Sequence, residues 1–115
     1  MQDIKQFIET NQQRFLEELS GLLRIPSISS AEKHKPDMVK TAEYWVQLLL
    51  NAGADTATVM PTAGNPVVYG EKMIDPKLPT VLVYGHYDVM PVDPLELWSN
   101  PPFEPPCNAR YCGEV

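Results

Sequence analysis

One stretch of this chain constrains its fold more than any other: Thr80-Val81-Leu82-Val83-Tyr84-Gly85-His86-Tyr87-Asp88-Val89. Thr80 to Tyr84 are β-branched, aliphatic or aromatic, which predicts a strand. Their near-continuous apolar character predicts a central strand covered on both faces, as in an α/β sheet. Past Gly85, His86 and Asp88 lie two residues apart, so they share a side if the extended geometry continues. In open α/β sheets, ligands collect at the carboxyl ends of the strands. An imidazole there can offer one nitrogen to a divalent transition metal and donate the other N–H to a neighbouring carboxylate, which fixes tautomer and ring orientation. The same residues also suit a strand end whose polar pair satisfies nearby backbone groups.

The segments before this run change period once. Ile4, Phe7, Ile8, Phe15, Leu19, Leu22 and Leu23 recur at three- and four-residue steps, which predicts an amphipathic helix near residues 4–24. Asp3 is placed to cap it, and Pro26 stops it. A polar connector follows, and Pro36 and Asp37 open a second helix near residues 37–52. Its apolar stripe is Met38, Ala42, Trp45, Val46 and Leu49, all read as core packing, and Gly53 stands where a C-terminal cap belongs. After Gly53 the pattern becomes that of strands: Thr56 to Met60, a turn from Pro61 to Pro66, Val67 to Met73, and then Thr80 to Tyr84. The expected fold is α/β, with two helices followed by three strands of a mixed twisted sheet.

Composition narrows the function. A net charge of −6 argues against nucleic acid and against an anionic membrane surface as partners, because both select basic patches. No signal peptide opens the chain, and no apolar run approaches the length of a membrane span. With two cysteines and no secretion signal there is no disulfide framework, so the expected setting is a reducing cytoplasm and Cys107 and Cys112 are read as free thiols. His34, between two lysines, is read as a solvated side chain. Six of the twelve prolines fall between Pro91 and Pro106, which predicts an irregular loop there. Trp98 and Phe103 are expected to pin that loop onto the sheet, with Asp93, Glu96 and Glu104 as surface acids.

The sequence downstream gives the metal reading its weight. From Val81 to Pro105 the order is an apolar strand, Gly85-His86-Tyr87-Asp88-Val89, a proline, and then Trp98 leading into Pro102-Phe103-Glu104-Pro105. This pattern resembles the co-catalytic zinc peptidase family of dipeptidases, aminoacylases and glutamate carboxypeptidases. Leu23-Arg24-Ile25-Pro26-Ser27-Ile28-Ser29 is similar to that family's turn after its first helix. The tyrosines flanking Gly85-His86 and the following Val92-Asp93-Pro94 look most like the dipeptidase branch, although Met90 stands where glutamine is usual. The resemblance implies a zinc peptidase catalytic domain in which His86 binds one of two metal ions. Asp88 is then the catalytic residue that orients it, and a dipeptide or small peptide is the substrate. It further implies a bridging aspartate and a glutamate general base beyond the matched stretch, with the metal pair polarising the carbonyl and acidifying a shared water.

After Pro105 the pattern departs from the family. Residues 1–105 are therefore read as the N-terminal portion of the catalytic domain, and 106–115 as a tail outside the family pattern, as after a frameshift or early stop. With one ligand and no general base, the chain alone is expected to be inactive and to bind a single zinc ion weakly at most. An unpaired strand edge would invite self-association. The competing reading is a small acidic, non-catalytic interaction module that uses the proline-rich loop 91–106 as its binding surface.

Overall fold

The computed structural model describes residues 3–105. The expected tail, with both cysteines, lies outside the described residues. Residues 26–91 form one compact unit, and residues up to 25 group with those from 92 onward as another.

In the second unit, α1 spans Ile4–Leu23, as its apolar spacing predicts. The Asp3 carboxylate accepts the Lys5 amide at 3.2 Å, satisfying one of the free N–H groups of the first turn. Arg14 reaches Glu18 at 2.6 Å, one helical turn on. None of the helix's residues is buried, and Ile4, Phe7, Ile8 and Leu19 are exposed. The loop holds one short turn of 3-10 helix, Leu95–Leu97, in keeping with its proline content. The Trp98 indole N–H donates to the Val92 carbonyl at 2.9 Å, so this tryptophan fastens the loop to itself.

In residues 26–91, α2 covers Lys35–Asn51, beginning two residues earlier than the sequence implies. Proline is tolerated in a first helical turn because no N–H is needed there, so Pro36 lies inside the helix rather than before it. His34 is not solvated as expected. Its Nδ1 lies 2.7 Å from Asp37 Oδ2 with only 17% of the side chain exposed, so it packs against the start of α2. Gly53, with φ of 97°, ends the helix in the left-handed region where residues with a Cβ are disfavoured.

The strands β1 (Thr56–Met60) and β2 (Val67–Glu71) pair antiparallel, from Thr56 opposite Glu71 to Met60 opposite Val67. Ala57 and Val59 of β1 and Val68 of β2 are the half-buried members of the alternation. Gly70 lies against α2, since a Cβ there would stand 3.0 Å from the Leu49 side chain and 3.3 Å from the Thr56 carbonyl. β2 ends at Glu71, short of the expected Met73. Beyond it the Asp55 carboxylate takes the Met73 amide at 2.8 Å and the Lys72 ammonium at 2.7 Å. The buried residues of α2 are Met38, Thr41 and Ala42, and the Thr41 hydroxyl donates to the Asp37 carbonyl at 2.7 Å.

The third strand is a correction. Thr80–Tyr84 joins no ladder, and the sheet of the described residues has two strands. Val81, Leu82, Val83 and Tyr84 are 83 to 91% exposed, so the run is bare on both faces rather than covered. A strand apolar on both sides is written for neighbours at its edges and layers above and below. Among the described residues nothing supplies them. The chain meets a backbone partner again only at Val89, in a lone parallel bridge with Ile28.

Candidate metal site

The residues singled out by sequence lie where two distant segments meet. Residues 27–29, just before the connector to α2, run beside residues 87–89. The Val89 amide donates to the Ser27 carbonyl at 2.9 Å, and the buried Ser27 hydroxyl donates to the Tyr87 carbonyl at 2.9 Å. The Tyr87 hydroxyl donates to the Pro66 carbonyl, tying the motif to the turn between β1 and β2. Burial, and then the charge of Asp88, push the Tyr87 phenol upward, so it stays a donor. The motif is thus held by side chains and one bridge, not by a sheet ladder.

On this support His86 and Asp88 come together as their two-residue spacing implies. His86 Nδ1 lies 3.0 Å from Asp88 Oδ1 and 3.2 Å from the Asp88 backbone carbonyl. Both neighbours can only accept when the carboxyl is ionised, so Nδ1 carries the proton and donates. Nε2 then keeps its lone pair, on a side chain that is 78% exposed. The other carboxylate oxygen of Asp88 accepts the Ser29 hydroxyl at 2.5 Å. That hydrogen bond first, and the one from His86 after it, hold the Asp88 carboxyl below its ordinary range against an opposing desolvation effect.

This arrangement fits one corner of a metal site. Nε2 of His86 is a free donor with a fixed tautomer. Asp88 is engaged at both oxygens, which suits an orienting role. Among the described residues no group of three or more His, Cys, Asp or Glu side chains converges to hold an ion. His34 pairs with Asp37 instead. Sequence reasoning missed Ser29, which it read only as part of a turn. No signal local to residues 27–29 marks the contact, because it depends on their lying against residues 87–89.

Comparisons with known proteins bear on the class. The Cys-Gly metallodipeptidase DUG1 of Candida albicans is 34% identical over 115 aligned residues, covering 90% of this chain and 24% of that protein. The cysteinylglycine-S-conjugate dipeptidase of Corynebacterium striatum is 34% identical over 95 residues, covering 82% of this chain and 21% of its own length. A solved structure of the dipeptidase Dug1p from Saccharomyces cerevisiae superposes with a TM-score of 0.76 at 28% identity, covering 84% of this chain and 22% of that one. No protein-family model matches the chain. The chain is similar to an N-terminal part of these metallodipeptidases, and it spans about a quarter of the length of the relatives it matches.

Proposed function

We propose that this chain supplies one metal ligand, His86, and its orienting acid, Asp88, to a metal-dependent dipeptide hydrolase of the Cys-Gly type, and that alone it is catalytically incomplete. The observation that carries the reading is the pairing of His86 Nδ1 with Asp88 at 3.0 Å, which leaves Nε2 as the free ligand atom. The activities for which its relatives are named support the class of reaction and the substrate. Two zinc ions, when bound in a complete site, would polarise the scissile carbonyl and lower the pKa of a shared water. Asp88 takes the Nδ1 proton in a hydrogen bond, which aims the ring and leaves Nε2 for an ion, and Tyr87 holds the backbone between them. Among the described residues no three His, Cys, Asp or Glu side chains gather to hold an ion, so His86 is offered as one ligand of a larger set. No helix of the described residues is long and apolar enough to cross a membrane.

The test is a chimera in which this chain replaces the matching quarter of the Candida albicans relative. Hydrolysis of Cys-Gly should appear in the chimera with added zinc or manganese and be abolished by His86→Ala. The 115-residue chain alone should show none. A chimera that turns over substrate equally well with His86→Ala would remove His86 from the site. Turnover by the isolated chain, lost on His86→Ala, would overturn the incomplete reading.

A further inference from the structure

We infer that Ser29 is a positioning residue for the His86 ligand: its hydroxyl fixes the Asp88 carboxylate, which in turn fixes the ring nitrogen that carries the proton. The inference rests on the reading of His86 as a metal ligand and extends it to a residue fifty-seven positions away in sequence, fifty-nine from the carboxylate it holds.

Asp88 has two carboxylate oxygens and two uses for them. Oδ1 accepts His86 Nδ1–H at 3.0 Å, and Oδ2 accepts Ser29 Oγ–H at 2.5 Å. The His86 side chain is 78% exposed and that of Asp88 40%, so by itself their hydrogen bond is a surface contact of the weak kind, free to open to water. The short hydroxyl bond to the charged oxygen selects one carboxylate rotamer. Ser29 can do this because its backbone is not free. Ser27, two residues earlier, is 3% exposed and bonded to both Tyr87 and Val89 across the junction. Order therefore passes from a buried backbone junction to a hydroxyl, to a carboxylate, to an imidazole, and leaves Nε2 outward as a lone pair. Such partners of a ligand's own partner commonly govern ligand orientation and affinity.

A merely structural Ser29 would serve the junction and nothing more. Ser27 provides the comparison, because its hydroxyl binds the same segment without touching the carboxylate. The experiment uses the whole chain with nitrogen-15 in its histidine rings, observed by long-range proton–nitrogen correlation at mildly alkaline pH. The native chain should show the Nδ1–H tautomer for His86. Ser29→Ala should lose it, with the two ring nitrogens becoming averaged or reversed, while amides of β1 and β2 keep their native positions. Ser29→Thr should restore the tautomer. Ser29→Cys, nearly isosteric but a weak donor, should fall between and keeps the comparison decisive if alanine unfolds the junction. Ser27→Ala keeps the backbone bond from the Val89 amide, which is enough to hold the junction, and should leave the tautomer in place. Titration with zinc alone, followed at Nε2, should show the affinity of Ser29→Ala about tenfold below the native chain's. Retention of Nδ1–H in Ser29→Ala, or an equal loss in Ser27→Ala, would overturn the inference. A native Nε2 unmoved by zinc would overturn the ligand reading instead, and the tautomer comparison would still decide the role of Ser29.

Discussion

The pair formed by α2 with the β1–β2 hairpin and the run Thr80–Tyr84 carry equally strong sequence patterns but meet different fates. The hairpin folds onto α2, with Gly70 against Leu49, and α2 buries Met38, Thr41 and Ala42. Thr80–Tyr84 is more apolar than either strand, yet it stands bare with no ladder partner among the described residues. The hairpin's needs are met by its sequence neighbours: the partner strand is six residues away and the covering helix four. The central run needs neighbours on both edges and layers on both faces. Apolar pattern reports the surroundings a segment is written for, and only local segments bring those surroundings with them.

The largest expected contrast is in hydrogen exchange. Amides of β1, β2 and the middle of α2 should approach the opening free energy of the whole unit, while those of Val81–Tyr84 should exchange at nearly the unprotected rate. Protection of Val81–Tyr84 equal to that of β1 would break the comparison, and if it grew with protein concentration it would point to pairing between copies. Next come truncations. Met38→Ala should lower stability by about 2–5 kcal/mol, whereas Leu82→Ala should stay within about 0.5 kcal/mol, read from denaturant midpoints. A large loss at Leu82 would mean that the run is covered in solution.

Gly70→Ala sharpens the view of the hairpin as locally packed. The added methyl must displace the Leu49 side chain and crowd the Thr56 carbonyl, with an expected loss of about 1–3 kcal/mol. An unchanged midpoint would show that α2 yields easily. The smallest effect concerns Asp55, whose carboxyl is held below its ordinary 3.8 by the Lys72 hydrogen bond and then by the Met73 amide. A folded value below the unfolded one adds stability above the unfolded pKa, which is lost as pH falls through the folded one. Asp55→Asn should therefore shift the midpoint slightly near neutral pH and hardly at all well below 3.8. An equal shift at both would remove the ion pair as its cause.

Much of the fold was legible. Spacing placed α1 and β1 at their observed bounds, and Gly53 marked the end of α2. Pro36 misled by two residues because a first-turn proline reads as a start from either side. In the site, His86 and Asp88 were legible because a two-residue spacing fixes their common side. Ser29 was not, because nothing local to residues 27–29 says that they will lie against 87–89. His34 looked solvated because lysines flank it, yet its ring turns toward Asp37, three residues on.

The junction of residues 27–29 with 87–89 has a further consequence, in the order of assembly. It closes a loop of about sixty residues, which in a structureless chain would cost on the order of 4 kcal/mol of entropy, comparable to everything its few hydrogen bonds return. The helix and hairpin inside the loop shorten that search, so the junction is expected to close after they have formed. The imidazole should then be late to acquire its geometry, and a mutation that delays the hairpin should also disorder His86.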